Sequence, residues 1–373
     1  MAKVKIQVFQ MIVMVVLFQL GNTIVIGVGR NAKQHAWLAL LIGMIVGLLL
    51  IYIYIWIFSL REESTFTDLL VSGFGKYAGR LIAFFYAGFF LYNSARITSD
   101  FAFFIENQLA IPKIWVVKLL IILLIGYVGY LGVEALARSS EIFFFITFAF
   151  LFLLFLLFFS DHIFELNNIR PVLAIDRSAL LKTVFPLIIM VPFGEAVVFL
   201  CFFHFVNDFK IFRKMGWIPV MITGSILALI AFINYGVLSE ELLKDVTFPF
   251  IIAIQHITFL DFLTHFEIIA IIIFMMGGVI KIAIYFFAGM MTLTQTFSVS
   301  SEKRLIIPSV MVMYVISYFF MDNYVEHIHI GSQFLPKYIY PIFQIYLPVS
   351  LLLILFVKSK IKKWIKRKVF GTA

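Results

Sequence analysis

Long apolar stretches dominate this sequence and limit what it can fold into. The hydrocarbon core of a bilayer is about 30 Å thick and takes about 20 consecutive apolar residues of helix. Residues 143–159, FFFITFAFLFLLFLLFF, carry no charge and do not alternate as the strands of a membrane β-barrel do. We therefore predict an all-α polytopic membrane protein with about ten transmembrane helices. These predicted spans, one to ten, lie near residues 6–28, 36–58, 81–105, 115–133, 141–160, 183–205, 217–238, 263–290, 305–321 and 338–357.

The basic residues predict the orientation of the spans. With ten spans both chain ends lie on one side, and the side richer in Lys and Arg is cytoplasmic. Eighteen of the 29 Lys and Arg residues fall on the side of the termini and nine on the other, while Arg96 and Lys281 lie within spans. Both termini are thus predicted to be cytoplasmic, and the longest outer connections are 161–182 and 239–262. The second contains FPFIIAIQHITFL, which we expect to form a short helix over the outer face.

Spans one and six carry residues that break helices. Span one contains GNTIVIGVG (21–29), and span six contains VPFGEAVVFL (191–200), in which Pro192 lacks an amide hydrogen and Gly194 tolerates unusual dihedrals. Backbone groups left unpaired in lipid are costly, so breaks persist only where protein, water or a ligand satisfies them. The pattern fits two five-helix halves in inverted orientation, with substrate held where helices one and six are broken. A plain proline kink is the alternative.

Four ionisable side chains stand out inside the predicted spans, where each costs on the order of 2.5–3.5 kcal/mol. Arg96 and Asp100 are four residues apart in span three, so we predict that they pair along one helix face. Glu195 in span six and Lys281 in span eight have no partner on their own helix. We expect these two to meet across the bundle, because such a contact would neutralise both charges. The glycine pair at 277–278, ahead of Lys281, permits close helix approach.

Several functions have no support in the sequence. The single cysteine, Cys201, excludes an intrachain disulfide and cannot by itself build a metal site. We find no phosphate-binding glycine loop and no nucleophile–base set, so we expect neither an enzyme nor a bound cofactor. His327 and His329 stand between spans nine and ten, in what we interpret as a solvated outer loop rather than a metal site.

The basic C-terminal end predicts contact with the membrane surface. The tail KSKIKKWIKRK (358–368) follows the last span directly, which places its basic residues against the anionic cytoplasmic leaflet. That position favours lipid, and not nucleic acid, as its partner. We predict one transmembrane domain, residues 1–357, followed by a basic cytoplasmic tail, residues 358–373.

Three stretches resemble one known family, and the similarity covers essentially the whole chain. They are PFGE (192–195), LNNIRPVL (166–173) ahead of span six, and the region around Arg96. The sequence is similar to the B subunits of bacterial spore germinant receptors, which belong to the amino acid–polyamine–organocation transporter superfamily. The pre-span stretch of that family has an Asn-Leu-x-Pro-Val character, which residues 168–172 follow with Ile169 in place of Leu.

The resemblance implies a nutrient sensor. Such proteins lie in the inner membrane of the spore and recognise a small nutrient, usually an amino acid, together with receptor A and C subunits. Residues 265–267, His-Phe-Glu, depart from the family's Arg-x-acid pattern, so the similarity supports no ion pair there. A rival interpretation is a secondary amino acid transporter driven by protons or sodium, because sensor and transporter share the same pocket. A third is an assembly scaffold with a closed pocket.

The predicted site lies at the two breaks. An amino acid's carboxylate suits exposed backbone amides at a half-helix end, and its ammonium suits Glu195. The predicted ligand-binding residues are Gly21, Asn22, Gly27, Pro192, Phe193, Gly194 and Glu195. The predicted intramembrane charges that accompany them are Arg96, Asp100 and Lys281.

Overall fold

The fold consists almost entirely of helices. This computed structural model describes residues 5–109, 113–160, 163–169, 176–257, 265–321 and 323–370. Its α-helices are α1 (Val8–Leu20), α2 (Thr23–Ile26), α3 (Ala36–Ser59), α4 (Phe66–Phe74), α5 (Lys76–Leu109), α6 (Ile114–Leu131), α7 (Val133–Ser160), α8 (Arg177–Thr183), α9 (Phe209–Met215), α10 (Trp217–Val237), α11 (Glu240–Asp245), α12 (Pro249–Gln255), α13 (Glu267–Thr296), α14 (Ile306–Phe319), α15 (Tyr324–His329) and α16 (Leu347–Phe370). The 3₁₀- and π-helical segments are Arg30–His35, Leu166–Ile169, Val184–Phe193, Gly194–Cys201, Phe203–Phe205, Glu302–Leu305, Ile330–Ile339 and Ile342–Tyr346. The predicted all-α class is confirmed.

The number of spans depends on how α5 and one bent pair of helices are counted. Among the described residues, eight helical segments are long and apolar enough to cross a membrane. The count is nine if Glu302–Phe319 and Tyr324–Ile339, which meet at 110°, form one span. Helix α5 covers predicted span three with 34 residues, about 51 Å of helix, but lies outside this apolar count. Its buried polar residues, including Asn93 and Asp100, lower its hydropathy. The predicted ten is reached only with α5 and the bent pair both included.

Both spans predicted to contain breakers are interrupted. In span one, Gly21 separates α1 from α2 with φ 20° and ψ −120°, which is not helical. Span six starts with α8 and continues through the π-helical and 3₁₀ segments, with non-helical dihedrals at Val191 directly before Pro192. The breaks are therefore present where the sequence predicted them. The inverted repeat that would relate the two halves stays a prediction.

The second outer connection contains the expected short helix. This is α12, and its Pro249 ring packs against Gly27 at the end of α2. Residues 258–264 of that connection, and 161–162 and 170–175 of the first, lie outside the described residues. Four residues of the quoted stretch LNNIRPVL, 170–173, are therefore outside them as well.

The segment between predicted spans nine and ten is helical, which corrects the sequence interpretation. Helical residues run without interruption from 324 to 370, through α15, two π-helical segments and α16. His327 on α15 is 3% exposed, so the interpretation of a solvated loop is wrong for this residue, whereas His329 is exposed. Part of the segment's polarity comes from Ser332 and Gln333, which line a cavity, and a helix with polar residues on its cavity face shows no continuous apolar run.

Span six packs tightly on α3. A Cβ added to Gly47 would lie 2.7 Å from Phe193 Cγ and 2.8 Å from Phe193 Cβ, so the phenyl group rests on the α3 backbone. Real Cβ atoms essentially never come this close to another heavy atom. The glycine thus sets the distance between the broken span and α3.

We expect Gly47→Ala to lower the melting temperature of the purified protein, because overpacking a tight contact costs about 1–3 kcal/mol. The matched control is Gly88→Ala in α5, where an added Cβ meets no atom within 4 Å. Alanine favours helix over glycine, so the control should leave stability unchanged or raise it. Thermal unfolding of both variants in one detergent gives the comparison. Equal losses in the two variants would show that the contact with Phe193 does not limit substitution.

Candidate functional site

Lys281 joins the two broken spans. Its Nζ lies 2.6 Å from Glu195 Oε2 in span six and donates to Asn22 Oδ1, between α1 and α2, at 3.0 Å. Lys281 is 0% exposed and Glu195 4% exposed. The predicted contact between Glu195 and Lys281 is therefore present, and it gives each of these deeply buried charges the partner that burial requires. One lysine therefore holds residues of both breaks.

Asn22 extends this contact to α5 and α15. Its Nδ2 donates to Asp100 Oδ2 at 2.7 Å, and the other carboxylate oxygen of Asp100 lies 2.5 Å from His327 Nε2. Asp100 is 5% exposed. We name the five residues Glu195, Lys281, Asn22, Asp100 and His327 the buried polar chain. It connects both breaks with α13, α5 and the start of the last helical segment.

Arg96 reaches this chain by a different route from the one predicted. Its Nη1 donates to the main-chain carbonyl of His327 at 3.0 Å. Among the described residues, no N–O contact within 4 Å joins Arg96 to Asp100, whose two oxygens bond with His327 and Asn22. The predicted direct contact within one helix is therefore wrong, although the two opposite charges still attract each other. Its physical reason is that α15 lies against α5 and offers Asp100 a closer partner.

Small residues make room for the lysine. A Cβ added to Gly277 would lie 3.2 Å from Gly21 Cα, so α13 meets the break of span one backbone to backbone. A Cβ on Gly21 would lie 2.6 Å from Lys281 Cδ, which shows that the lysine stem crosses directly over this glycine. The glycine pair at 277–278 thus permits the close approach that the sequence predicted.

Tyrosines satisfy part of the backbone that the irregular helices leave open. The Tyr54 hydroxyl lies 2.7 Å from the Gln344 carbonyl and 3.2 Å from the Gly194 carbonyl. Tyr86 donates to the Phe343 carbonyl at 2.7 Å. Because buried carbonyls need a donor, these contacts stabilise the break of span six and the π-helical turn of the last segment together.

A cavity of about 550 Å³ lies beside the two breaks. This volume is typical of small-molecule sites. Its described lining comes from the end of span one and the turn after it, from α5, span six, α10 and α11, and from the helix that follows His327. At its rim Lys33 Nζ lies 2.9 Å from Glu240 Oε1, which ties the turn after span one to α11. The arrangement is suited to enclosing a small polar molecule.

The predicted site residues divide into two groups. Those that line the cavity are Asn22, Gly27, Glu195 and Arg96. Those that lie outside its described lining are Gly21, Pro192, Phe193, Gly194, Asp100 and Lys281. Phe193 packs on Gly47 instead of facing the cavity. The second group shapes or supports the first, and ligand binding by any of these residues stays a prediction.

Sequence reasoning missed three polar residues that the structure places inside the bundle. His327 belongs to the buried polar chain, and Tyr340 donates to Asn93 Oδ1 at 2.8 Å. Lys118, one of the nine basic residues counted above on the outer side, is 1% exposed in α6 and donates to the Ser317 carbonyl at 2.8 Å. Its position inside the predicted span 115–133 was a signal that it needed a partner.

Comparison with known proteins gives two findings, and each covers most of the chain. The sequence model of the spore germination protein family matches residues 5–325. Spore germination protein KB of Bacillus subtilis (strain 168) is 30% identical over 364 residues, which cover 96% of this chain and 97% of that protein. The similarity therefore takes in both broken spans and most of the cavity.

Proposed function

We propose that this chain, which belongs to the spore germination protein family, is the nutrient-binding membrane subunit of a germinant receptor. The ligand that we propose is a small nutrient, with an amino acid as the favoured class. Its site would be the cavity beside the two breaks. A sensor needs a ligand that binds one conformation better than another, and a broken helix is an element that can adopt two arrangements.

The observation that carries this proposal is the contact of one cavity with both breaks. Asn22 and Glu195 line the cavity from spans one and six. Lys281, which is outside the described lining, donates hydrogen bonds to both of them. A ligand that contacts either residue would therefore act on both breaks through one cation. Sites built between discontinuous helices are common in transporter folds, which supports a transporter-like pocket used for sensing.

We propose that the protein lies in the inner membrane of the spore, with both termini cytoplasmic. The turn after span one and α11 line the cavity, and both are on the outer side in that orientation. A nutrient would thus enter from outside. The domain 1–357 would act with receptor A and C subunits, and the basic tail 358–373 would contact anionic lipid.

The test is a panel of the twenty free amino acids applied to spores in which this receptor is the only one. We expect at least one amino acid to trigger germination, measured by the fall in optical density. Glu195→Gln removes the charge but keeps the shape of the side chain and an oxygen that can accept from Lys281 Nζ, so it should shift the dose–response curve with less effect on protein level than an apolar replacement. Failure of every amino acid, with the receptor present by blotting, would contradict the proposed ligand class. Overlying curves for Glu195→Gln and the parent would contradict the role of this cavity.

Transport is the second candidate function, and the same pair of broken helices favours it. A transporter would accumulate radiolabelled amino acid in vesicles in response to a proton or sodium gradient. A sensor would bind the same amino acid, seen as a rise in melting temperature, without accumulating it. Measuring both on one preparation separates the two functions.

A further inference from the structure

The charged side chains that line the cavity differ in whether they already have a partner of opposite charge. Three described cationic residues line it, Arg30, Lys33 and Arg96, against two carboxylates, Glu195 and Glu240. Both carboxylates already pair with a lysine, Glu195 with Lys281 and Glu240 with Lys33. A ligand's cation would have to compete with those lysines.

The two arginines have a different environment. Arg96 Nη1 donates to the His327 carbonyl at 3.0 Å, and Arg30 Nη1 donates to the Val246 carbonyl at 2.5 Å. Neither guanidinium lies within 4 Å of a carboxylate among the side chains that the structure describes. A guanidinium has five N–H donors, so each retains donors that a main-chain contact does not use. The cavity thus offers cationic donors to an anionic group.

The backbone amides at the breaks are less available than the sequence led us to expect. The Gly21 amide donates to the Leu17 carbonyl at 2.8 Å, and the Gly194 amide donates to the Ile189 carbonyl. Both donors are therefore used within their own spans. A ligand's carboxylate would therefore need donors other than the amides of Gly21 and Gly194.

Arg96 is held in position by a glycine of the facing helix. A Cβ added to Gly331 would overlap the Arg96 guanidinium, so the group lies directly against the backbone of the segment after His327. Both residues line the cavity. The guanidinium is thereby fixed on one wall of the cavity. It lies against the same helical segment that supplies its carbonyl partner, His327. A preoriented guanidinium matches a carboxylate with two parallel hydrogen bonds.

From this distribution of charge we infer that Arg96 is the carboxylate-binding residue of the cavity, and that its ligand is a small molecule with a free carboxylate. This inference deepens the proposed function and rests on it for the choice of amino acids as probes. Glu195 would then keep its contact with Lys281 when the ligand binds. Arg30, at the turn after span one, would add positive potential on the entry path without being the primary contact.

The test compares each free amino acid with its carboxamide, using the full chain purified into lipid nanodiscs. The carboxamide keeps the side chain and ammonium but lacks the anionic group. For any amino acid that raises the melting temperature, we expect the carboxamide to bind about 10- to 100-fold more weakly, as for the loss of a charge-assisted hydrogen-bonded pair. Equal affinity of the acid and its carboxamide for the parent protein would overturn the inference, and no variant is needed for that result.

Variants then assign the effect to one residue. Arg96→Gln should weaken the free amino acid by the same factor and leave the carboxamide unchanged, whereas Arg30→Gln, which removes only positive potential at the entry, should weaken the free amino acid by a clearly smaller factor. If the free amino acid no longer binds more tightly than its carboxamide in Arg30→Gln, but still does so in Arg96→Gln, the carboxylate site is at Arg30 and the assignment is overturned. Should Arg96→Gln fail to fold, Arg96→Lys retains the charge but not the planar fork, and a reduced preference for the acid over the carboxamide is expected.

Failure of this inference is distinct from failure of the proposed function. Simple carboxylates and amines of the same size, propionate and propylamine, are tested on the same protein. If no amino acid binds but propionate does and propylamine does not, the amino acid ligand is wrong and the carboxylate site stands. If amino acids and propylamine bind while propionate and Arg96→Gln have no effect, the sensor proposal stands and the carboxylate site is wrong. Absence of all binding would contradict both.

Discussion

Lys281→Met is expected to be strongly destabilising, because it leaves Glu195 buried without its cation. Removing one partner of a buried ion pair costs about 3–5 kcal/mol, most of it the burial of an uncompensated charge. The side chains of Lys281 and Glu195 are 0% and 5% exposed, so little water reaches the carboxylate that loses its cation. The same substitution removes the donor to Asn22 and so loosens both breaks. The measurement is the denaturation midpoint in detergent, together with quantitative blotting of membranes.

The double variant Lys281→Met with Glu195→Met separates the charge from the packing. Removing both charges should recover a large part of the loss, since apolar replacement of a whole buried pair is often neutral or better. Arg138→Met is the matched control, as it breaks a 2.6 Å pair with Glu134 whose side chains are 71% and 50% exposed. That change should stay within about 1 kcal/mol of the parent. A double variant no more stable than Lys281→Met would contradict the charge argument.

The contact between Glu195 and Lys281 was predictable because the membrane restricts the alternatives. Each residue stands alone on an apolar helix, and an isolated charge in hydrocarbon is costly enough that another charge must be near it. The glycines at 277–278 pointed to the helix face that would come close. The cost of an isolated charge in hydrocarbon, together with the glycines one turn before Lys281, was thus sufficient to predict this contact without knowledge of the fold.

Arg96 and Asp100 show where that reasoning ends. Spacing of four residues predicts a pair on one helix, but it cannot show that a residue 227 positions away lies closer. His327 was hidden because its segment is polar, and a polar segment between two apolar windows is typical of a surface loop. Part of its polarity belongs to Ser332 and Gln333, which line a cavity. A cavity is a property of the packed bundle, which a single sequence does not display.

Phe193 illustrates a similar limit at the scale of one side chain. The break at Val191 and Pro192 followed from the backbone chemistry of proline. The direction of the neighbouring ring did not, because it depends on the groove that Gly47 opens in α3. Local chemistry therefore predicted where span six breaks, and tertiary packing decided which of its side chains face the cavity.

The second large effect is expected at Asp100, where Asp100→Leu should be far more damaging than Asp100→Asn. Leucine removes the acceptors for Asn22 Nδ2 and His327 Nε2 and leaves Arg96 without a nearby counter-charge, a loss of about 3–5 kcal/mol by analogy with broken buried pairs. Asparagine keeps an oxygen for Asn22, and its amide can donate to the neutral tautomer of His327 that has Nε2 as an acceptor. The denaturation midpoints of the two variants measure the difference.

A double-mutant cycle with Arg96→Met then divides the loss at Asp100 into two physical parts. Long-range attraction between Arg96 and Asp100 disappears in either single variant, so Asp100→Leu with Arg96→Met should recover that part. The hydrogen bonds to Asn22 and His327 stay lost, because leucine offers no acceptor. Recovery is therefore expected to be partial. Full recovery would mean that Asp100 acts only as the counter-charge of Arg96. The hydrogen bonds of Asp100 to Asn22 and His327 would then contribute nothing measurable to stability.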